Sequence, residues 1–311
     1  MPPLVSIVTP SFNQALYLEQ TLRSVLEQDY PAIEYFVMDG GSTDGSVEII
    51  QQYAHRLAGW VSEPDRGQAD AINKGFSRAR GEIVAWLNSD DLYLPGAVRA
   101  AVEAFERHPQ AGMVFGDVIS IDSEGTPVHV MTFGDWTLDD LMQFRIISQP
   151  GVFIRREVLE RAGFLDPSYH FLLDHHLWLR CAQVAPMVYL RQRLASARFH
   201  PLAKNVAQAA RFGQEAYRLV DWMAQEPALA ERFRRLEKPI RAGAHRLNAR
   251  YLLDAGQIRP AAAAYTRSLL THAPTALMEW RRILYAYARL LVNVEGLKHL
   301  YLRARRRRMR L

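Results

Sequence analysis

Short apolar runs and amphipathic segments alternate along the first half of the chain. The apolar runs "LVSIVTP", "EYFVM", "GWVSE" and "EIVAWL" predict buried strands. The segments between them repeat apolar residues at helical spacing, as Leu18, Leu22 and Val25 do in "YLEQTLRSVLEQ". Strands that alternate with helices in this way predict an α/β domain with a Rossmann-like, mostly parallel central sheet and flanking helices.

The pattern changes after a predicted turn at Asp122–Gly125. "MVFGDVISID", "VFIRR" and "MVYL" predict further strands, and "DHHLWLRCAQV" predicts a helix. Beyond about Pro201 no strand signal remains, so this part of the sequence predicts helices only. We therefore expect an α/β domain over residues 1–204 and a helical region with a basic tail over residues 205–311.

Two features stand out within the predicted helical region. The segment "ARYLLDAGQIRPAAAAYTRSLLTHAP" predicts a helical hairpin that turns at Ala255-Gly256. Because proline ends or kinks a helix, we also expect breaks near Pro227, Pro239 and Pro274.

The net charge of +5 conceals two halves of opposite sign. Residues 205–311 hold 21 Lys/Arg and 8 Asp/Glu, a net of 21 − 8 = +13, which leaves 17 − 25 = −8 for residues 1–204. The last segment places Trp280, Leu284 and Tyr287 at helical spacing and ends in "LYLRARRRRMRL". This pattern predicts either an amphipathic helix with a basic tail at an anionic membrane surface or a core-packing helix with a basic tail.

Composition excludes several classes of protein. The chain has no run of eighteen apolar residues to span a bilayer, and "MPPLVSIVTP" lacks the basic start of a signal peptide. The lone Cys181 excludes an internal disulfide and a cysteine-based zinc site. We expect a cytoplasmic protein. If the tail binds an anionic membrane, the protein is peripheral on the cytoplasmic face.

Acids follow three of the predicted strands, at Asp39, Asp65 and Asp90. Ligands of parallel α/β sheets bind at the carboxyl ends of the strands, so these acids are expected at one edge. In "FVMDGGSTDGS" the glycines lack the spacing of a dinucleotide or phosphate loop. Asp39 is a better acceptor for a ribose hydroxyl or a base N–H than a phosphate ligand, which predicts a nucleotide site read from its base or sugar end.

"WLNSDDLYLP" ends a buried strand with two adjacent carboxylates, Asp90 and Asp91. Such a pair is unfavourable without a nearby cation. Mn²⁺ or Mg²⁺ takes oxygen ligands and commonly joins carboxylates to substrate phosphates. The alternative is a turn and helix N-cap before Pro95; the acids at the same predicted edge favour the metal.

The sequence resembles family 2 glycosyltransferases of the GT-A fold over roughly residues 4–200. The matching stretches are "VSIVTPSFNQALYLEQTLRSVLEQDYP", "VMDGGSTDGS", "EPDRGQADAINKGFSRARGEIVAWLNSDD" and "FLLDHHLWLR", in the family's order and spacing. The resemblance implies a nucleotide-sugar donor, usually UDP-linked, a divalent metal, and transfer with inversion at the anomeric carbon. It does not extend to the C-terminal helices.

The resemblance also assigns site residues one by one. It implies that the nucleotide is held by Pro10, Ser11, Asn13, Asp39, Asp65, Arg66, Gln68, Asp70, Asn73, Asn88, Ser89 and Asp90. It places Gln149, Pro150 and Gly151 on the acceptor side, and Asp91 and His200 at the metal. The chain departs from the common D-x-D-D pattern because Asn88 replaces the first acid, and an amide supplies no charge.

Asp174 matches the family's catalytic acid, with Leu173 where a Glu often stands. An acceptor hydroxyl needs its proton removed as it attacks, which suits a carboxylate base. The alternative is that Asp174 caps the helix that follows, and the two roles are compatible.

Other polar residues near these motifs have competing interpretations. His175 and His176 are adjacent on a helix and point in different directions, which disfavours a shared metal. The alternative to a metal ligand at His200 is a loop histidine. Lys204 either meets the diphosphate or is a solvated lysine. We expect Trp178 to pack and Arg180 to form an ion pair.

The sequence thus predicts a metal-dependent inverting glycosyltransferase that acts on a saccharide or lipid-linked acceptor in the synthesis of cell-surface polysaccharide. One alternative is a nucleotidyltransferase of similar fold, which "TPSFNQALYLEQ" disfavours because it lacks a Gly-rich basic loop. The other is a non-catalytic scaffold that acts through its C-terminal helices. We expect no nucleic-acid partner, and a homo-oligomer is left open.

Overall fold

The computed structural model describes residues 2–200, 203–204 and 208–291, apart from the side chain of Leu291. The chain divides into two compact units. One comprises the residues up to Thr137 together with Ile147–Arg198, and the other comprises Leu138–Ile146 together with the described residues from Phe199 onward. The segment Leu138–Ile146 therefore belongs to the helical unit, although the sequence pattern assigned it to the α/β domain.

Nine strands form one sheet in the α/β unit. They are β1 (Val5–Ser11), β2 (Ile33–Asp39), β3 (Gly59–Ser62), β4 (Ile83–Trp86), β5 (Leu92–Tyr93), β6 (Met113–Ile121), β7 (Pro127–Met131), β8 (Val152–Arg155) and β9 (Met187–Arg198).

The helices follow the chain from α1 to α11. They are α1 (Ala15–Leu26), α2 (Ser46–Tyr53), α3 (Gln68–Phe76), α4 (Ala97–Arg107), α5 (Leu138–Met142), α6 (Arg156–Ala162), α7 (Leu173–Val184), α8 (Phe212–Gln225), α9 (Ala230–Asp254), α10 (Ile258–Leu277) and α11 (Trp280–Leu291).

The sheet order is β3-β2-β1-β4-β8-β6-β9-β5, with β7 paired to β6. The first four strands run parallel, as the strand–helix alternation predicts. The sheet becomes mixed after β4, because β8 pairs antiparallel with both β4 and β6 while β9 pairs parallel with β6. The α/β class is confirmed. The unbroken run of parallel strands is confined to the half of the sheet built from the strongest alternation, and β6 and β9 form a separate parallel pair.

Alternate residues of the central strands enter different cores, as the two-residue period of a strand requires. Val5 and Ile7 of β1 join the core that includes Leu18 and Leu22 of α1. On the other face, Trp86 of β4 meets Phe76 of α3 edge-on at 6.0 Å and stacks on Trp178 of α7 at 5.1 Å between ring centroids. The packing role expected for Trp178 is therefore confirmed.

The sequence pattern missed β5 and β7 and predicted only the beginning of β9. β5 has only two residues and pairs antiparallel with Ala195 and Ser196 of β9. β9 itself continues to Arg198, well beyond the predicted "MVYL". Polar residues Arg191 and Arg193 interrupt the apolar run of β9, and the strand continues because its ladder with β6 continues on both sides of a bulge.

The helices α8, α9, α10 and α11 follow one another along the helical unit. The predicted breaks near Pro227 and Pro274 are present, and the one near Pro239 is not. Pro227 stands in a 3₁₀ turn between α8 and α9, and His272 takes a non-helical conformation two residues before Pro274. Pro239 lies inside α9, which runs unbroken. That predicted break is wrong, because α9 packs against both α8 and α10 and this burial outweighs one lost backbone hydrogen bond.

The segment Leu138–Ile146 is fixed to α9 within the helical unit. Arg246 of α9 is 2% exposed and donates hydrogen bonds to the carbonyls of Gln143 and Phe144, at 3.3 and 2.9 Å. A Cβ at Gly243, one turn earlier, would collide with the Gln143 carbonyl. Asp139 forms ion pairs with Arg232 and Arg235, at 2.7 and 2.5 Å. A glycine and three arginines of one helix thus hold the segment by its backbone and by Asp139, one of its two acids.

The predicted hairpin is confirmed: α9 ends at Asp254, Gly256 has a φ of +75°, and α10 begins at Ile258. The final helix α11 buries Ile283 and Ala286 and exposes Trp280 and Leu284. Residues 292–311, which include the predicted basic tail, lie outside the described residues. None of the helices that the structure describes is long and apolar enough to cross a membrane.

Candidate active site

Asp39 ends β2 and organises the loop that follows it. Its side chain is 2% exposed. One oxygen accepts the N–H groups of Gly41 and Ser42, at 3.0 and 2.8 Å, and the hydroxyl of Ser62 at 2.8 Å. The other accepts the Ser42 hydroxyl at 2.5 Å. A carboxylate with this many donors is held in one orientation at the carboxyl end of its strand.

Asn13 and Gly40 join neighbouring loops to the one after Asp39. Asn13, with a φ of +51°, donates its backbone N–H to the Ser42 hydroxyl and accepts the Thr43 N–H with its side chain. A Cβ at Gly40 would stand 2.6 Å from a carboxylate oxygen of Asp65. The absence of a side chain at Gly40 therefore lets Asp65, from the loop after β3, approach the Asp39 loop.

The loop after β3 leads into α3 through Arg66 and Asp70. The Asp65 carboxylate accepts the Gly67 N–H at 2.7 Å. The Arg66 guanidinium, 81% exposed, pairs with Asp70 at 2.9 Å and lowers the pKa of that carboxyl. Arg66 extends from this loop into solvent, where a ligand can reach it.

Three amide side chains connect the loop after β3 with the loop after β4. Gln68 donates to the Asn88 carbonyl oxygen at 2.7 Å. Asn88 in turn donates to Asp91 and to the Gln149 carbonyl oxygen, both at 3.1 Å. Gln149 is itself fixed by a 2.7 Å hydrogen bond to the carbonyl of Trp86. The predicted nucleotide, metal and acceptor segments are thus linked directly through side chains in this part of the α/β unit.

Asp91 is a buried acid, with 5% of its surface exposed. Its two carboxylate oxygens accept the Asn88 side-chain amide and the backbone N–H of Arg198, the latter at 3.0 Å. Burial raises the pKa of the Asp91 carboxyl well above its usual range, and the adjacent Asp90 charge raises it further. The N-cap part of the alternative is wrong, because β5 follows Asp91 at once and α4 begins later, after Gly96. The turn itself is present, since the Asp91 N–H donates to the Asn88 carbonyl at 3.0 Å.

The chemistry of these donors suits a divalent cation. Asp90 and Asp91 are adjacent carboxylates at a strand end, and a cation there would compensate two negative charges that burial disfavours. No group of three or more His, Cys, Asp or Glu side chains in the described ranges is arranged to bind a metal. The protein ligands to consider are therefore these two acids, with the rest of the coordination left to substrate and water, as is common for Mg²⁺.

Asp174 lies in the first turn of α7, where negative charge is favoured by the helix dipole. Its carboxylate accepts the His175 N–H at 2.7 Å. The helix begins at Leu173, so the N-cap is Leu172 and the capping alternative for Asp174 is wrong. Trp178, four residues on and hence on the same helix face, stacks on Trp86 at the end of β4, which places this face of α7 against the strand that leads to Asn88.

Several other predicted residues lie at or beside these loops. Ser11 ends β1, and its buried hydroxyl has no hydrogen-bond partner within the described part of the chain. Pro10 precedes it in the same buried strand, and Ser89 is buried between Asn88 and Asp90. Asn73 exchanges two hydrogen bonds with the backbone of Leu165, at 2.8 and 3.0 Å, so its amide is used within the fold. Pro150 and Gly151 are buried in the 3₁₀ turn that begins at Gln149.

The histidines and the remaining basic residues have different settings. His175 and His176 are buried in α7, and the His176 ring lies 4.3 Å from that of Tyr169. His200 is also buried, but it belongs to the helical unit, as does the exposed Lys204. The ion pair expected for Arg180 is not what the structure shows: its guanidinium donates to the carbonyls of Ala162, Gly163 and Phe164, where α6 ends.

Sequence reasoning missed the residues that hold the acids in place. Ser42 and Ser62 fix Asp39, but single hydroxyls in loops carry no distinctive signal. Arg198 had one: it closes the run "LASAR", and a charged residue at the end of a small, apolar strand requires buried partners. That signal points to a buried arginine but not to the acids with which it is associated.

Comparison with known proteins identifies the family. The model of the family described as glycosyl transferase family 2 matches residues 6–163. A Bacillus subtilis protein named for teichuronic acid biosynthesis, the glycosyltransferase TuaG, is 31% identical over 227 residues, which are 70% of this chain and 89% of the relative. An uncharacterized glycosyltransferase of Nostoc sp., alr2836, is 29% identical over 219 residues, 66% of this chain and 67% of the relative.

Solved structures share the fold at lower identity. The mannosyltransferase PcManGT from Pyrobaculum calidifontis, in complex with GDP-Man and Mn²⁺, superposes with a TM-score of 0.60 at 23% identity over 95% of this chain and 89% of its own. S. aureus TarS 1-349 in complex with UDP-GlcNAc gives a TM-score of 0.59 at 16% identity over 90% and 92%. Together with the matched motifs and the sheet described above, these findings show that the chain is a glycosyltransferase that belongs to family 2 and has the GT-A fold.

Proposed function

We propose that this glycosyltransferase transfers a sugar from a UDP-sugar to a saccharide or lipid-linked acceptor, with inversion at the anomeric carbon. The product would be a cell-surface polysaccharide or glycan. The sequence relative TuaG is named for the synthesis of such a polymer, and TarS was solved with UDP-GlcNAc. PcManGT was solved with GDP-Man, so the choice of uridine over guanosine is part of the proposal.

One observation carries the proposal: the hydrogen-bonded series Gln68–Asn88–Asp91, with Gln149 bonded to Asn88. It connects the loop after β3, the acidic turn after β4 and the turn before β8. A sugar donor needs groups for its nucleotide, its diphosphate and its acceptor side close together, and these three segments supply them from separate parts of the sequence.

The nucleotide would lie along the ends of β1, β2 and β3. Asp39 offers carboxylate oxygens for a base N–H or ribose hydroxyl. Ser11 lies opposite Asp39 in the pairing of β1 with β2, and its buried hydroxyl, which has no partner in the described part of the chain, is a second candidate to bind the nucleotide. Asn13, Asp65 and Asp70 shape the loops around this edge. Arg66, mostly exposed, can turn toward a diphosphate and stabilise charge that develops on it.

Asp90 and Asp91 would hold the divalent metal. When bound, Mn²⁺ or Mg²⁺ would stabilise negative charge on the leaving nucleoside diphosphate. The protein's own contribution is to fix the orientation of the Asp91 carboxylate through Asn88 and the backbone of Arg198. These ligands are oxygens, which suits the hard cations named here.

Asp174 is the proposed general base. The acceptor oxygen attacks the anomeric carbon on the face opposite the nucleotide, the bond from that carbon to the phosphate oxygen breaks, and the acceptor's proton passes to the Asp174 carboxylate. A single displacement of this kind inverts the anomeric configuration. The hydrogen bond from the His175 N–H orients the Asp174 carboxylate. An ionised carboxylate within hydrogen-bond reach of the acceptor hydroxyl suits the general-base role.

A lipid-linked acceptor would lie at the membrane, and the basic tail would bring the enzyme to its cytoplasmic face. The exposed Trp280 and Leu284 of α11 support this proposal, and the Arg281 guanidinium stacks over the Trp280 ring at 5.2 Å. Trp and Arg side by side on an exposed helix face suit the headgroup region of an anionic bilayer. The core-packing alternative accounts for Ile283 and Ala286 but not for this face.

A donor screen tests the proposed reaction. We expect Mn²⁺-dependent hydrolysis or transfer with a UDP-sugar, loss of turnover in EDTA, and a fall of about 100-fold or more in Asp91→Asn. Asp29→Asn, which alters an exposed acid paired with Arg99, should match the wild type. Turnover that is unchanged in EDTA and in Asp91→Asn would remove the metal from the mechanism. Turnover with GDP-sugars alone would show that the donor is a GDP-sugar and not a UDP-sugar.

The role of Asp39 is tested by nucleotide affinity. Asp39→Ala should weaken UDP and the UDP-sugar by the same factor, about tenfold or more, because a carboxylate hydrogen bond to the nucleoside is lost in both. Ser62→Ala removes only one of the donors that orient Asp39 and should have a smaller effect, as measured by calorimetry. An equal loss in both variants would mean that Asp39 acts only by ordering its loop.

Asp174→Asn should leave donor affinity nearly unchanged and lower kcat by about 10²–10⁴, the usual effect of losing a general base. Asparagine can still accept the His175 N–H, so the helix start is preserved. The exposed acid Asp135, changed to Asn, provides the control. A collapse of donor affinity with normal turnover at saturation would show that Asp174 binds the donor instead.

The tail is tested by sedimentation with liposomes. Residues 296–311 hold seven Lys/Arg, and each basic residue near an anionic surface contributes about 1 kcal/mol, which salt weakens. The intact protein should sediment with phosphatidylserine vesicles at low salt and not with neutral vesicles. Deletion of residues 296–311 should release it without altering donor hydrolysis; an intact protein that ignores anionic vesicles would contradict the proposal.

A further inference from the structure

Arg198 is a buried cation whose hydrogen bonds converge on the acidic turn. It is the last residue of β9 and is 3% exposed. Its backbone N–H donates to the Asp91 carboxylate at 3.0 Å, and its Nε donates to the Asp90 carbonyl at 3.0 Å. One residue thus holds both acids, Asp91 by its side chain and Asp90 by its backbone.

The rest of the guanidinium ties this turn to two other elements. Nη1 donates to the carbonyls of Asp122 and Ser123, at 3.3 and 3.2 Å, in the turn between β6 and β7. Nη2 donates to the side-chain oxygen of Gln20 on α1 at 2.8 Å. The guanidinium also lies over the Tyr17 ring of α1, with Cζ 4.6 Å from the centroid.

These contacts have a shared geometric consequence. Thr21, on α1 beside Gln20, donates to the carbonyl of Asp91 at 2.8 Å, so α1 contacts the turn both directly and through Arg198. β5, the short strand after Asp91, pairs with β9 just before Arg198. The acidic turn is therefore fixed by α1 and by β9, and Arg198, which ends β9, also contacts α1 and the Asp122–Ser123 turn.

We propose that Arg198 is a positioning residue that sets the geometry of the Asp90–Asp91 turn for the diphosphate and its metal. It acts through these acids and does not itself contact the substrate. The proposal rests on the function proposed above for the two acids, and it adds a residue that no site motif contains. Groups of this kind, one step removed from a metal, typically change metal affinity or activity by about 10–100-fold when altered.

The side chain required is specific to arginine. The guanidinium is a planar fork with five N–H donors, and four of its hydrogen bonds run to four separate oxygens here. Lysine would keep the positive charge and much of the length, but its three donors on a single nitrogen cannot reach oxygens in these four directions. Arg198→Lys therefore separates the geometry from the charge.

The first measurement is the affinity for UDP with and without Mn²⁺, by calorimetry. In the wild type Mn²⁺ should strengthen UDP binding. In Arg198→Lys we expect the affinity without metal to stay within about twofold and the strengthening by Mn²⁺ to fall by about 10–100-fold. Gln20→Ala should also reduce the strengthening of UDP binding by Mn²⁺, but by a smaller factor, because it removes only one acceptor of the Arg198 guanidinium. Gln20 occupies an exposed helix position that alanine suits. Arg191→Lys changes a mostly exposed arginine of the same strand and should leave both affinities unchanged.

The second measurement is backbone hydrogen exchange in the absence of any ligand. Arg198→Lys should raise exchange in the peptides that span residues 88–93 and 122–125 while β1 and β2 keep wild-type protection. Unchanged exchange in these turns, or a rise throughout the α/β unit, would overturn the positioning role. If wild-type UDP binding proves insensitive to Mn²⁺, the metal in the proposed function fails, while the exchange comparison still decides the role of Arg198.

Discussion

The site depends on the burial of one carboxylate beside another. Asp91 is almost fully enclosed and follows Asp90 directly, so both burial and repulsion disfavour its charge. A carboxyl group in that position is tolerated only where donors surround it, and here an amide and a backbone N–H occupy its two oxygens. A divalent cation at this strand end would stabilise the ionised form of both carboxyls and so relieve both penalties.

Asn88 and Arg198 donate to Asp91, and Gln149 accepts from Asn88. These residues come from elements that the sheet topology brings together. Asn88 follows the last of the parallel strands, Gln149 precedes the antiparallel β8, and Arg198 ends β9. β8 runs against β4, so its first residues lie at the edge where the parallel strands end, while β9 runs in the same direction as β4, so its last residue lies at that edge too. A β8 parallel to β4 would place Gln149 at the opposite edge, so the antiparallel direction of β8 belongs to the construction of the site.

The helical unit relies on a related device for a different purpose. Glu279 is nearly buried and accepts hydrogen bonds from Arg250 and the Tyr265 hydroxyl, with Arg246 at 3.8 Å. The Arg246 guanidinium donates hydrogen bonds to the carbonyls of Thr275, Gln143 and Phe144. Buried charges of this kind add little net stability compared with apolar packing, but removing one partner is costly, so they specify one arrangement of the helices and of the segment Leu138–Ile146.

The sequence by itself determined most of the strands and helices and the acids at the strand ends, because these follow from local periodicity and from the position of polar residues after apolar runs. It did not determine β5, the continuation of α9 through Pro239, the binding of carbonyls by Arg180, or the inclusion of Leu138–Ile146 in the helical unit. Those outcomes, and the contacts of Arg198, were decided by the tertiary structure, because each depends on contacts between residues far apart in the chain, whose free energies exceed the local preferences that a sequence pattern records.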